Sequence, residues 1–147
     1  MNSAHVPCYS PHRGIITFNI KKGENTIRGY YKKLSVYQDA LNLVDMSYAM
    51  IQNFPKWEWN NLSDQLRRAS TSIALNIAEG NGRQSTRDYV HFLRISLGSI
   101  NEIEAIAEIA IRQNFISDTV YRQFTGNLGK IRWKLIRLIK SMPVKEE

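Results

Sequence analysis

The stretch from Leu62 to Glu102 restricts the possible folds more than any other part of the chain. Leu62, Leu66, Ala69, Ile73, Ile77 and Gly80 recur at steps of four and three residues, the rhythm that keeps side chains on one face of a helix. Beside them runs a second stripe with the same rhythm and no apolar member: Gln65, Arg68, Ser72, Asn76 and Glu79. Gly80 and Gly82 read as the end of this helix, because glycine takes the left-handed conformation of a helix terminus at little steric cost. Ser85, with Asp88 three residues on, reads as the start of the next, a variant of the capping box. That helix, over 86–113, carries Tyr89, Phe92, Leu93, Ser96, Leu97, Ile100, Ile103, Ala107 and Ala110 on its inner side. Together the two predict a helical hairpin with an ordered polar line beside its apolar one.

Two further helices flank the hairpin. The first is expected over 35–53, with Tyr37, Ala40, Leu41, Val44, Tyr48 and Ile51 inward and Pro55 ending it, since proline lacks the amide a helix interior needs. The last starts at Ser117–Asp118, a good capping pair. It places Tyr121, Phe124, Leu128, Ile131, Leu135, Leu138 and Met142 on alternating three- and four-residue steps, as a bundle seam requires. Gly126 and Gly129 weaken this helix by roughly 1 kcal/mol each relative to alanine and read as sites of close helix approach or of a bend. Four amphipathic helices with short connections predict an all-α, antiparallel up-down four-helix bundle over residues 34–142. Residues 143–147 form a short tail. Residues 1–33 read as a basic, flexible extension, with six basic side chains against Glu24. Within it, Ile15–Ile20 and Thr26–Tyr31 could pair as a weak hairpin.

The search for reactive chemistry yields little. A nucleophile needs a base, and the base an orienting group. His91 is the only histidine on the helical scaffold, since His5 and His12 lie in the extension with the lone Cys8. Glu79 and Glu102 could approach across the hairpin, but Arg68, Ser72 and Asn76 nearby argue for a charge-satisfied layer. Asp88 and His91 resemble half of a di-iron carboxylate site, which needs a second pair and two more inward carboxylates. No catalytic residue, metal or cofactor is therefore expected. Trp57 and Trp59 are read as one covering the bundle end and one on the surface, with a docking patch as the alternative. No apolar run approaches the roughly 20 residues of a membrane span. Nothing at the start resembles a secretory leader, and the single cysteine fits a reducing, cytoplasmic compartment. The net charge of +7 favours polyanionic partners.

The run QLRRASTSIALNIAEGNGR (residues 65–83), with Phe92–Leu93, Gly98–Ser99 and Glu102, resembles the bacterial four-helix-bundle family first met in intervening sequences of 23S ribosomal RNA genes. The likeness covers residues 34–141. It departs from the usual pattern at Ala74–Leu75, where many members carry a proline, and at Asn81, often aromatic. The wider family includes the accessory variability determinant of diversity-generating retroelements, a homopentameric barrel whose basic surface binds nucleic acid and a partner reverse transcriptase. The resemblance thus implies a ring-shaped homo-oligomer, a pentamer, with RNA or DNA and a reverse transcriptase as partners. Arg83, Arg87, His91 and Arg94 on the third helix, with Lys130, Arg132, Lys134 and Arg137 on the last, are the expected nucleic-acid contacts. Phosphate contacts of this kind give affinity with little sequence choice and weaken with salt. The alternatives are an intervening-sequence-encoded protein without that role and a pure protein–protein interaction module. Gln65, Arg68, Ser72, Asn76 and Glu79 are the motif's own residues. The resemblance implies that they are buried as a structural polar network reaching Ser96, Ser99 and Glu102, which fixes helix register and the subunit contact.

Overall fold

Where a serine stands ahead of a helical run, a helix begins. Ser85 Oγ accepts from the Asp88 amide at 3.1 Å and Ser117 Oγ from the Val120 amide at 3.3 Å, satisfying donors the first turn leaves free. The computed structural model describes the backbone of residues 4–10 and 14–20 and the whole of residues 30–142. Its helices are α1 (Ser35–Ile51), α2 (Leu62–Asn81), α3 (Thr86–Arg112) and α4 (Asp118–Lys140). A 3-10 turn at Tyr30–Lys33 leads into α1, and another at Lys56–Glu58 follows Pro55. No helix of the described residues is long and apolar enough to cross a membrane.

Cross-helix contacts set the topology. Gly80 of α2 abuts Tyr89 and Phe92 of α3, while Ser72 meets Ser99, so residue numbers fall along one helix as they rise along the other. Arg132 of α4 reaches Asn101 and Glu104 of α3, and Tyr121 reaches Glu108. Lys134 of α4 pairs with Asp39 of α1. Each helix therefore runs antiparallel to its sequence neighbour, and α4 closes against α1. The result is a four-helix bundle around Leu43, Leu66, Ile73, Ile77, Leu93, Ile100, Ile103, Phe124, Leu128, Ile131 and Leu135, all essentially inaccessible to water.

The inward faces of α2 and α4 follow the sequence rhythm; on α1 the expected face holds at Ala40 and Ile51 and fails at Leu41 and Tyr48. Its buried residues are Val36, Ala40, Leu43, Ser47, Met50 and Ile51, while Leu41 and Tyr48 are exposed. Two stripes lie side by side on this helix, and the all-apolar one is the wrong choice. Ser47 can face the core because its hydroxyl donates to the Leu43 carbonyl at 2.8 Å, which removes most of the cost of burying it.

The glycines also require correction. α2 continues through Asn81, and its C-cap Gly82 has φ −79°, so no left-handed residue ends it. Gly80 is needed for packing instead: a Cβ there would lie 2.7 Å from Tyr89 Cδ2 and 2.8 Å from Phe92 Cβ. Gly126 and Gly129 have open space where a Cβ would stand, so no close approach within the chain depends on them. Among the described residues Asn114, in the α3–α4 turn, does adopt a left-handed conformation, with φ 59°.

Gly14–Ile20 (β2) pairs antiparallel with Ala4–Ser10 (β1), with Ala4 opposite Ile20 and Ser10 opposite Gly14. The expected partner, Thr26–Tyr31, is not the one used. Thr26 to Gly29 lie outside the described residues, while Tyr30 and Tyr31 belong to the 3-10 turn. Pairing upstream closes a three-residue connection rather than a five-residue one, and the shorter closure costs less chain entropy. Pro7 is tolerated because both strands of a two-stranded sheet are edges.

Candidate functional site

The polar stripe of α2 does not form one buried line. Its centre does join up: Ser99 Oγ donates to Ser72 Oγ at 2.9 Å, and Asn76 Nδ2 lies 2.9 Å from the same oxygen and 2.7 Å from the Ser72 carbonyl. One turn away, Ser96 Oγ donates across to the Ile73 carbonyl at 3.3 Å. The other members turn elsewhere. Gln65 donates to Asn61, Arg68 is exposed and pairs with Asp64, and Glu79 pairs with Arg83. Glu102 is exposed. Glu79 and Glu102 do not approach each other, since Glu79 lies level with Phe92, about 15 Å along α3 from Glu102 at 1.5 Å per residue. Ser96 and Ser99, two of the three residues the stripe was expected to reach, are the ones whose hydroxyls cross to α2. Ser99→Ala is expected to lower unfolding free energy by about 1 kcal/mol, because it removes the donor that ties α3 to α2. Chemical denaturation would measure it.

The eight basic residues expected to act together fall into three settings. Arg132 and Lys134 lie two residues apart on α4 and point to opposite neighbours. Arg132 Nη2 reaches Glu104 at 2.6 Å and Asn101 at 3.0 Å on α3, whereas Lys134 pairs with Asp39 on α1. Both are half-buried and serve the bundle's own cohesion. Arg83 pairs with Glu79 and lies over the Phe92 ring, 4.8 Å from its centroid. Arg137 lies over the Trp133 ring at 4.6 Å, a cation–π contact. The third setting holds Arg87, Arg94 and Lys130, which are exposed and have no acidic partner among the described residues. His91 is exposed too, edge-on to Phe92. Four cations missed in sequence share this condition: Lys32, Lys33, Lys56 and Lys140. Their signal was legible, since none has an acidic residue three or four positions away.

At the opposite end of the bundle, Trp57, Leu62, Ile109 and Phe115 line an open groove of about 540 Å³. Trp57 is 77% exposed and Trp59 52%, so neither seals the bundle end as expected. Nearby, the Tyr121 hydroxyl donates to Glu108 at 2.9 Å. This bond, with help from Arg112, holds the Glu108 carboxyl below the usual carboxylate range, and the same bond raises the Tyr121 phenol. Among the described residues no group of three or more histidine, cysteine or acidic side chains is placed to hold a metal.

These features define a helical-bundle protein with a hydroxyl-lined α2–α3 seam and a surface on which some cations are locked between helices and others stand unpaired. The family model of the 23S rRNA-intervening sequence protein matches residues 32–137. The chain belongs to that family. It is similar to a solved protein of unknown function from the S23 ribosomal protein family of Bacteroides thetaiotaomicron VPI-5482, with a TM-score of 0.64 and 28% sequence identity. That likeness covers 71% of this chain and 98% of the other. No curated protein matches the chain.

Proposed function

We propose that this protein is a non-enzymatic, ring-forming scaffold that binds nucleic acid, RNA above all, and grips a protein partner. The observation that carries the reading is the set of exposed cations on α3 and α4 with no acidic partner among the described residues, Arg87, Arg94 and Lys130. A cation held by a carboxylate must give up that pair to meet a phosphate. An unpaired one gains from the counterions its phosphate releases. Arg132 and Lys134 drop out of the contact set on this reasoning, since each holds a neighbouring helix.

Self-assembly is supported by the outer stripe of α1, where Tyr37, Leu41, Val44 and Tyr48 are half-buried or exposed. Contiguous exposed apolar surface of this kind marks interaction sites. Five copies, and a reverse transcriptase as partner, follow from the resemblance to retroelement accessory proteins. A reverse transcriptase gene and template repeat beside this gene would support that version; a position inside a ribosomal RNA gene would support the plain intervening-sequence protein. A pure interaction module is the second reading, favoured by the exposure of Trp57 and Trp133. Fluorescence anisotropy with labelled random-sequence RNA, beside light scattering for mass, separates the two. The scaffold reading expects a multimer that binds RNA and releases it as salt rises. A multimer that ignores RNA even at about 50 mM salt would leave only the interaction module.

A further inference from the structure

We infer that nucleic acid meets this protein end-on, at the cap where the chain enters α1, turns from α2 into α3 and leaves α4. The inference rests on the nucleic-acid reading above and goes further by choosing one surface over the sides of the bundle. Antiparallel packing gathers the Tyr30–Lys33 turn, the α2–α3 turn, the first turn of α3 and the last turn of α4 at one end. Lys32, Lys33, Arg87 and Lys140 are exposed there without an acidic partner among the described residues. Arg94 and Lys130 stand about 12 and 15 Å down the sides, at 1.5 Å per residue. Among the described residues the acidic ones near the cap are Glu79 and Asp39, each already ion-paired, and Asp88.

The far end shows that this is more than the solvated surface any helix carries. Arg68 pairs with Asp64, Arg112 with Glu108 and Arg122 with Asp118, each within one helix at i,i+4. The far end thus neutralises itself, with Lys56 its one cation lacking such a partner among the described residues. A lipid surface fits the cap less well than a phosphate chain. Peripheral membrane contact needs apolar side chains among the cations, and none of the exposed large hydrophobic residues belongs to the turns that form the cap.

Two variants of the full chain with equal charge change test the placement, using labelled random-sequence RNA as the probe. One carries Lys32→Gln, Lys33→Gln, Arg87→Gln and Lys140→Gln; the other carries Lys56→Gln, Arg68→Gln, Arg112→Gln and Arg122→Gln. The first is expected to bind at least about tenfold more weakly, with a salt dependence shallower by about 0.7 per lost contact. The second should stay within about twofold of the native chain, because the exposed pairs it breaks are worth little. Helical circular dichroism checks both folds. On the native chain itself, RNA should shield Lys32, Lys33 and Lys140 from acetylation and leave Lys56 reactive, which needs no variant to fold. Equal losses in the two variants, or equal shielding at the two ends, would sink the end-on placement and leave nucleic-acid binding standing. A native chain that ignores RNA but binds phosphatidylserine vesicles or an acidic polypeptide would remove both.

Discussion

Gly80→Leu is expected to destabilise the protein by about 3 kcal/mol, the upper part of the range for overpacking a filled core. A single Cβ at this position already meets the Tyr89 ring at 2.7 Å and Phe92 Cβ at 2.8 Å. Phe92 Cβ is fixed to the α3 backbone, and Tyr89 is buried, so neither can step aside without moving a helix. Three further heavy atoms would have to enter a contact between α2 and α3 that has no room even for a Cβ. The strain would fall on the α2–α3 turn that carries Arg83 and leads into Arg87, so a loss of stability and a displaced cap should appear together. Alanine at Gly126 or Gly129 should have the opposite sign. Those positions face open space, and each substitution should stabilise α4 by up to about 1 kcal/mol through helix propensity alone. Urea unfolding of the three variants measures both signs in one series. A Gly80→Leu chain as stable as the native one would show that α2 and α3 do not approach as described.

How much of this was legible in the sequence varies with the distance over which each feature is decided. The helices, their caps at Ser85 and Ser117, and the inward faces of α2 and α4 are local matters. A three- and four-residue rhythm fixes them wherever one stripe is clearly more apolar than its neighbours. On α1 two stripes compete, and the decision rests on whether Ser47 can satisfy its hydroxyl, a local bond that periodicity does not weigh. The role of Gly80 was misassigned for a related reason. A glycine near a helix end suggests a cap, whereas here the requirement comes from a side chain nine residues on, across the turn.

The candidate site was harder to read, because an angular position on a helix says nothing about what stands opposite. Lys130 and Lys134 share a face of α4 by spacing, yet one is exposed and the other is held by Asp39, ninety-five residues earlier in the chain. The charge of the cap was similarly hidden. Lys32, Arg87 and Lys140 are far apart in sequence and converge only because the connections return each helix antiparallel to the last. The in-helix pairs at the far end were available from i,i+4 spacing, and subtracting them from the charge would have pointed to the cap earlier.

RNA affinity is expected to fall roughly fifty-fold between about 50 and about 200 mM monovalent salt. Each cation that neutralises a phosphate of a single strand releases counterions and contributes about 0.7 to the slope of log affinity against log salt. Lys32, Lys33, Arg87 and Lys140 together give a slope near −2.8, and a fourfold rise in salt then weakens binding by roughly fifty-fold. The pairing described above and the end-on placement together are why four cations enter this figure: Arg94 and Lys130, though unpaired, stand down the sides of the bundle. Arg83, Arg132 and Lys134 already have carboxylate partners, so phosphate contact at those positions exchanges one ion pair for another and releases fewer counterions. A slope near −5 would mean that these residues abandon their partners on binding, and with them part of the packing between α1, α3 and α4. A slope near zero at unchanged affinity would mean that stacking, not charge, holds the RNA, and the exposed Trp57, Trp59 and Trp133 would become the side chains to substitute next.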